Sequence, residues 1–320
     1  MNTPLKVCFL GSGEIGVPVL QALAQVPEIE LVGVGSQPDR PGKRGGKLIP
    51  TPITAAAAEL GIPADRPDSV NDPAYLDKLR GLAPDVILVI AYGLLLKADI
   101  LALPRLGCIN VHASLLPKYR GASPIQSAIL ARDKETGVCF MEMEAGLDTG
   151  PVYARLHLPL AGNERADLLE AALGRLAADA VVKVLLGIAS GKLVKTPQDH
   201  ARATVCRKIR KEQGVMDFRR PAAELEAMTR AFYPWPGANF LLELPDREVR
   251  ITVCEAEIVP GQGTPGEILS HDKHGWIIMC QDAALSLKIV SVPGKKTMPA
   301  TGFLNGLRGA PMRVKTETTT

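Results

Sequence analysis

Three short apolar runs, Leu5–Leu10, Glu30–Gly35 and Val86–Ala91, constrain this chain most, because none shows the strict in-and-out alternation of a sheet with one wet face. Strands of that kind are buried on both sides, which calls for helices above and below a mostly parallel sheet. Helix-like stretches separate the runs, and this βαβ rhythm predicts a doubly wound α/β fold for the first half. Gly107–Val111 reads as a further buried strand, while Glu135–Met143 alternates as an edge or mixed strand does. Apolar residues at helical spacing across Arg165–Gly187 predict one long amphipathic helix that closes the domain.

Beyond that helix the pattern changes. A stretch bearing Gly and Pro reads as a linker, and short β-type runs follow it, Glu248–Val253, Trp276–Cys280 and Ser286–Val292, set between Gly/Pro turns. They predict a smaller β-barrel or sandwich. A chain of 320 residues suits two domains of this kind, expected at 1–188 and 207–320 with the linker at 189–206. No apolar run reaches the roughly 20 residues of a spanning helix, and the start MNTPLK lacks a secretory apolar core, so a cytoplasmic protein without membrane contact is expected. Six cysteines without a C-x-x-C pair argue against a zinc ribbon or a disulfide framework. They read as reduced, mostly buried thiols, and no metal is expected.

Gly11-Ser12-Gly13-Glu14-Ile15-Gly16 follows the first strand and matches the G-x-G-x-x-G pattern of nicotinamide-cofactor enzymes. Such a site also needs an acidic residue about 20 positions on to hold the ribose hydroxyls. Gly35 and Ser36 stand there instead. The glycines are therefore read as a tight strand-to-helix turn, or as a helix start that binds some other anion, and the dehydrogenase reading is set aside.

The chemistry concentrates in Gly107-Cys108-Ile109-Asn110-Val111-His112-Ala113-Ser114-Leu115-Leu116-Pro117-Lys118-Tyr119-Arg120-Gly121. Period-two alternation puts Asn110 and His112 on one face of the strand, roughly 6–7 Å apart. They leave it at its carboxyl end, where ligands of such sheets sit. Gly146-Leu147-Asp148-Thr149-Gly150 adds a single carboxylate between glycines, which permit close backbone approach. An amide, an imidazole and a carboxylate suit acyl transfer: one binds an oxyanion, one handles a proton, one orients the imidazole.

These motifs resemble those of the folate-dependent formyltransferases. Asn110-Val111-His112-x-Ser114-Leu115-Leu116-Pro117, Arg120-Gly121-Ala122-x-Pro124-Ile125-Gln126 and Gly146-Leu147-Asp148-Thr149-Gly150 look like the signature of the branch that formylates methionyl-tRNA. Gln37-Pro38-Asp39-Arg40-Pro41 resembles that branch's inserted loop, and Ala231-Phe232-x-Pro234-Trp235-Pro236-Gly237 the entry to its C-terminal domain. The resemblance implies a catalytic trio of Asn110, His112 and Asp148. It also implies 10-formyltetrahydrofolate as the donor, touched by Ser114, Leu115, Leu116, Pro117 and the segment Ala91, Tyr92 and Gly93. The second domain is then an OB-like barrel that helps hold methionyl-initiator tRNA.

The charge distribution fits that partner. Residues 202–320 carry 17 Lys and Arg against 13 Asp and Glu, so the later part is the better candidate to face a polyanion. Arg40, Lys43, Arg44 and Lys47, spaced by glycines after the second strand, are expected to wrap the acceptor end, and Arg207, Lys208, Arg210 and Lys211 to meet phosphates further along. Asn110 and His112 are expected to donate to the oxyanion, with Asp148 holding His112. A monomer is expected. Two rival readings keep the fold: a formyltransferase with an amino-sugar or nucleotide acceptor, and a non-catalytic RNA-binding protein.

Overall fold

A computed structural model describes residues 3–42, 46, 48–272, 275–307 and 311–315 of the chain. They form two compact units. The first comprises Met1–Pro124, Glu135–Pro159 and Leu169–Cys206, and the second Ile125–Lys134, Leu160–Leu168 and Arg207–Thr320.

The first unit is built on strands β1 (Leu5–Gly11), β2 (Ile29–Gly35), β3 (Ala64–Asp65), β4 (Val86–Ile90), β5 (Cys108–His112), β6 (Glu135–Glu142) and β7 (Val152–Pro159). Their order in the sheet is β7-β6-β5-β4-β1-β2-β3. The pairings from β5 to β3 are parallel, while β6 runs antiparallel to both β5 and β7. Every residue of β4, VILVI, is buried, as a central parallel strand requires. Helices α1 (Val17–Ala24), α2 (Pro52–Glu59) and α3 (Pro73–Leu82) carry the crossovers, and α4 (Ala166–Ala189) is the long helix that the periodicity predicts. The starts of α2 and α3 follow from local chemistry. Thr51 and Asp72 accept from the backbone N–H groups of Thr54 and Ala74, and a proline follows each cap.

One face of the sheet buries Cys8, Leu10, Ile87, Val89 and Cys108 against Tyr75, Leu76 and Leu79 of α3. The period of two is visible in those numbers. Strand β6 is the mixed alternative of its two readings: it lies inside the sheet, and six consecutive residues of it are buried. The edge belongs to β7, whose alternating burial went unread in the sequence. The GSGEIG turn packs as a turn. A Cβ on Gly16 would come within 3.0 Å of both Ile53 and Ile90, so close helix–sheet packing accounts for that glycine. Ser36, where a ribose-binding acid would stand, is wholly buried and shares a 2.6 Å hydrogen bond with the Thr51 hydroxyl.

In the second unit, α5 (Ala222–Ala231) precedes strands β8 (Ala238–Glu243), β9 (Glu248–Val259), β10 (Ile268–Asp272), β11 (Gly275–Met279), β12 (Ala284–Ser291) and β13 (Met298–Pro299). Helix α6 (Ala300–Leu307) and strand β14 (Arg313–Lys315) complete it. The strands pair antiparallel in the order β10-β11-β12-β9-β8-β14, with β13 beside β12, and form a nearly closed barrel, the first of the two alternatives open in the sequence. Trp276 is its centre, stacked on Phe303 at 5.6 Å and set edge-on to Phe240 at 5.9 Å.

Five of the six cysteines are buried free thiols. Burial pushes Cys8, Cys108 and Cys280 up to about 12 and Cys139 up to about 11 from an ordinary 9.0. The folded chain thus keeps protons that the unfolded chain releases near 9.0, so this contribution is full below that pH and is lost as pH rises toward 12. Urea unfolding followed at about pH 8 and about pH 10.5 is expected to give a lower stability at the higher pH.

Candidate active site

Strand β1 connects to β2 on one side and has β4 on the other, so the sheet order reverses between β1 and β4. A crevice opens at such a switch point, at the carboxyl ends of the strands. Ala91, Tyr92 and Gly93 leave β4 there, and Asn110 and His112 end the neighbouring β5. Asn110 is partly buried and His112 is 5% exposed.

The 146–150 loop brings Asp148 to this pair. Asn110 Nδ2 donates to Asp148 Oδ1 at 3.4 Å, and His112 Nδ1 lies 3.7 Å from Asp148 Oδ2. The second separation is beyond a hydrogen bond and within the reach of an ion pair. The three residues expected together from the sequence therefore stand together. A strong bond fixes the carboxylate on its other side, where the backbone N–H of Gly121 donates to Asp148 Oδ2 at 2.8 Å. His112 Nε2 lies 2.9 Å from the Tyr119 carbonyl. A carbonyl only accepts, so Nε2 carries a hydrogen and Nδ1 is the nitrogen that faces the carboxylate.

The loop glycines serve the loop itself. A Cβ on Gly150 would sit 2.0 Å from the Glu142 carbonyl and one on Gly146 2.2 Å from Thr149 Oγ1. Their close approaches are thus to this chain, and no ligand is needed to explain them. Asp148 itself holds φ +50°, a left-handed conformation that costs a non-glycine residue energy and needs support from its surroundings.

That support comes from residues to which the sequence assigned no role. Gln198 Nε2 donates to the carbonyls of Asp148 and Gly150 at 2.8 and 2.7 Å, and its Oε1 accepts from Arg120 Nε and Nη2 at 3.1 and 2.8 Å. Tyr119, at φ +61°, has its N–H on Thr204 Oγ1 at 2.8 Å. Tyr119 and Arg120 stand inside the 107–121 stretch, which is the signal the sequence offers for them. Gln198 and Thr204 lie 50 and 85 residues from Asp148 and Tyr119, in a stretch read only as a linker. Residues 205–206 in fact pair in parallel with Arg120 and Gly121, and Thr196 bridges Val152.

The residues expected at the folate divide in two. Ala91 and Gly93 are exposed, and Leu115 and Pro117 are partly exposed. Tyr92, Ser114 and Leu116 are buried: the Tyr92 ring belongs to the core, and Ser114 Oγ donates to the Lys118 carbonyl at 2.5 Å. These three side chains are turned into the protein and hold the segment from inside. Among the basic residues, Arg40 is exposed and donates to Gln37 Oε1 at 2.6 Å, while Gln37 Nε2 donates to the Tyr92 carbonyl at 2.5 Å. Lys43, Arg44 and Lys47 lie outside the described residues. Arg207, Lys208, Arg210 and Lys211 are all exposed at the start of the second unit's main segment. Among the described residues no group of three or more His, Cys, Asp or Glu could hold a metal ion, and no helix is long and apolar enough to cross a membrane.

An amide, an imidazole and a carboxylate gathered at the carboxyl ends of a doubly wound sheet, followed by a barrel, fit a two-domain acyl-group transferase. Residues 5–185 match the family model for formyl transferase and residues 208–308 the model for the formyl transferase C-terminal domain. The chain belongs to the formyl transferase family. It is 42% identical over 308 residues, 96% of each chain, to the methionyl-tRNA formyltransferase of Pseudomonas syringae pv. syringae. It is also 42% identical over 304 residues to that of Pseudomonas entomophila, covering 95% of this chain and 96% of that one. A solved methionyl-tRNA formyltransferase from Clostridium thermocellum shares the fold at a TM-score of 0.55 and 16% identity, over 81% of this chain and 95% of that one. So does the sugar 3N-formyl transferase WlaRD, at a TM-score of 0.63 and 16% identity, over 92% of this chain and all of that one.

The buried position of Ser114 gives a test of its part. Ser114→Ala removes a buried donor from the Lys118 carbonyl and is expected to cost about 1–3 kcal/mol in urea unfolding, with little change in KM for the formyl donor.

Proposed function

We propose that this chain transfers a formyl group from 10-formyltetrahydrofolate to the amino group of methionyl-initiator tRNA, acting as a cytoplasmic monomer. The observation that carries the reading is the convergence of Asn110, His112 and Asp148 at the switch-point crevice. Near-full-length similarity to proteins named for this reaction supports it. The catalytic domain is residues 1–188, the connection 189–206, and the second domain, 207–320, adds contacts to the tRNA.

The folate supplies a formyl group on an arylamine-like nitrogen, a fair leaving group. The protein therefore has to orient the amine, bind the oxyanion and manage one proton. Asn110 meets the developing oxyanion with the Nδ2 hydrogen that Asp148 does not take. His112 acts through Nδ1, because Nε2–H is committed to the Tyr119 carbonyl. Nδ1 is thus the one nitrogen left both to take the amine's proton and to donate, so a donation from His112 to the oxyanion follows that transfer. The proton shed by the attacking amine reaches Nδ1 beside Asp148 and passes on to the leaving nitrogen. Ala91 and Gly93 offer exposed backbone to the folate, with Leu115 and Pro117 beside them in the same role. Arg40, Lys43, Arg44 and Lys47 wrap the acceptor end, and Arg207, Lys208, Arg210 and Lys211 meet phosphates of the tRNA.

The direct test supplies formyl-folate with charged initiator tRNA or with small amino-sugar acceptors. Formyl transfer confined to the small acceptors would overturn the reading. Asn110→Ala and Asp148→Ala are each expected to lower turnover by about a hundredfold or more, as loss of an oxyanion donor or its support does. Replacing Lys208 and Lys211 by alanine is expected to flatten the slope of log affinity against log salt by roughly 0.7–0.9 per lost phosphate contact. An unchanged slope would remove that cluster from the tRNA interface.

A further inference from the structure

We propose that residues 196–206 form a positioning strap, in which Gln198 sets the geometry of Asp148 and Thr204 that of His112. The inference rests on the catalytic reading above and assigns new residues to the same reaction.

Two backbone segments carry the groups that hold the catalytic side chains, and both are tied to the strap. Asp148 has φ +50°, and its carbonyl and that of Gly150 receive both amide hydrogens of Gln198. The other end of that amide is filled by Arg120. Gln198 is 4% exposed, and its side chain has no free donor. The second segment is the 117–122 loop. Pro117 O accepts from Thr204 N at 3.2 Å, and Arg120 N donates to Thr204 O at 2.8 Å. Ala122 N donates to Cys206 O at 3.0 Å. Tyr119 N donates to Thr204 Oγ1, and Tyr119 O is the acceptor for His112 Nε2. Gly121, whose N–H holds the Asp148 carboxylate, has φ +119° and would place a Cβ 2.2 Å from Cys206 O.

Tyr119, Gly121 and Asp148 are thus left-handed residues, each bonded to the strap or pressed against it. A loop of this kind has no regular ladder of its own to hold an unfavourable conformation. Displacing a catalytic group by about an ångström costs on the order of a hundredfold in rate. The strap contacts none of the reacting atoms; its residues act through His112 and Asp148.

The experiment measures kcat and KM for formyl transfer to charged initiator tRNA across a pH series. Gln198→Ala is expected to lower kcat by about ten- to a hundredfold with little change in either KM. Gln198→Glu keeps acceptors for Arg120 but has no donor for the two carbonyls. Its kcat should fall as well, whereas a role limited to anchoring Arg120 would leave it intact. Thr204→Val is expected to lower kcat and to move the limb of the pH–rate profile that reports His112, and Thr204→Ser to restore both. Circular dichroism melts identify any variant that fails to fold, and the exposed Thr204 position supplies the reading if the buried one does not tolerate change. Wild-type kcat in Gln198→Glu together with an unmoved profile in Thr204→Val would overturn the proposal, as would a rise in KM alone. An inactive wild type would instead sink the proposed function, and an active Asp148→Ala the catalytic trio.

Discussion

The bond from the Gly121 N–H to the Asp148 carboxylate, 2.8 Å long, is the point on which the site depends. It is charge-assisted and largely shielded from water, so it is stronger than a neutral bond at the surface. It also joins two loops that come from different strands, one after β5 and one after β6. Through it the position of the carboxylate follows the 117–122 loop, whose Tyr119 carbonyl fixes the imidazole. Amide, imidazole and carboxylate therefore share one frame.

That frame exists because the sheet is parallel at its centre. Parallel strands deliver all their carboxyl ends to one edge, and the reversal of order between β1 and β4 leaves a gap in the helical cover above it. The antiparallel β6 changes the direction of the chain, and the segment after it leads to Asp148. Had β6 been parallel, its following loop would have emerged beside Asn110 and His112 directly. Instead β6 ends at Glu142 beside Ile109, in the amino half of β5, and the 146–150 loop brings Asp148 back to Asn110 and His112, with glycines at 146 and 150 permitting the tight path.

Much of this was legible in the residues. The unalternating runs gave the parallel strands, and the long apolar periodicity gave α4. Strand alternation by itself places Asn110 and His112 on one face, and both meet Asp148 there. Other parts were not legible, for physical reasons. The edge strand β7, VYARLHLP, interrupts its apolar residues only with Arg155 and His157, too few polar positions for its alternation to stand out. A serine or a leucine in a motif does not announce whether its side chain faces a ligand or the protein, and Ser114 and Leu116 face the protein. The tautomer of His112 is set by a carbonyl seven residues away, which no side-chain pattern encodes.

The sequence by itself determined the class of fold, the strand that carries the amide and imidazole, and the family, since these rest on local periodicity and contiguous motifs. Only the tertiary structure decided that a stretch rich in Gly, Pro and polar residues would bind back on the site through Gln198 and Thr204. Hydrogen bonds across 50 and 85 residues leave no periodic trace in the chain. They appear only once the fold has brought the buried amide to the carbonyls it satisfies.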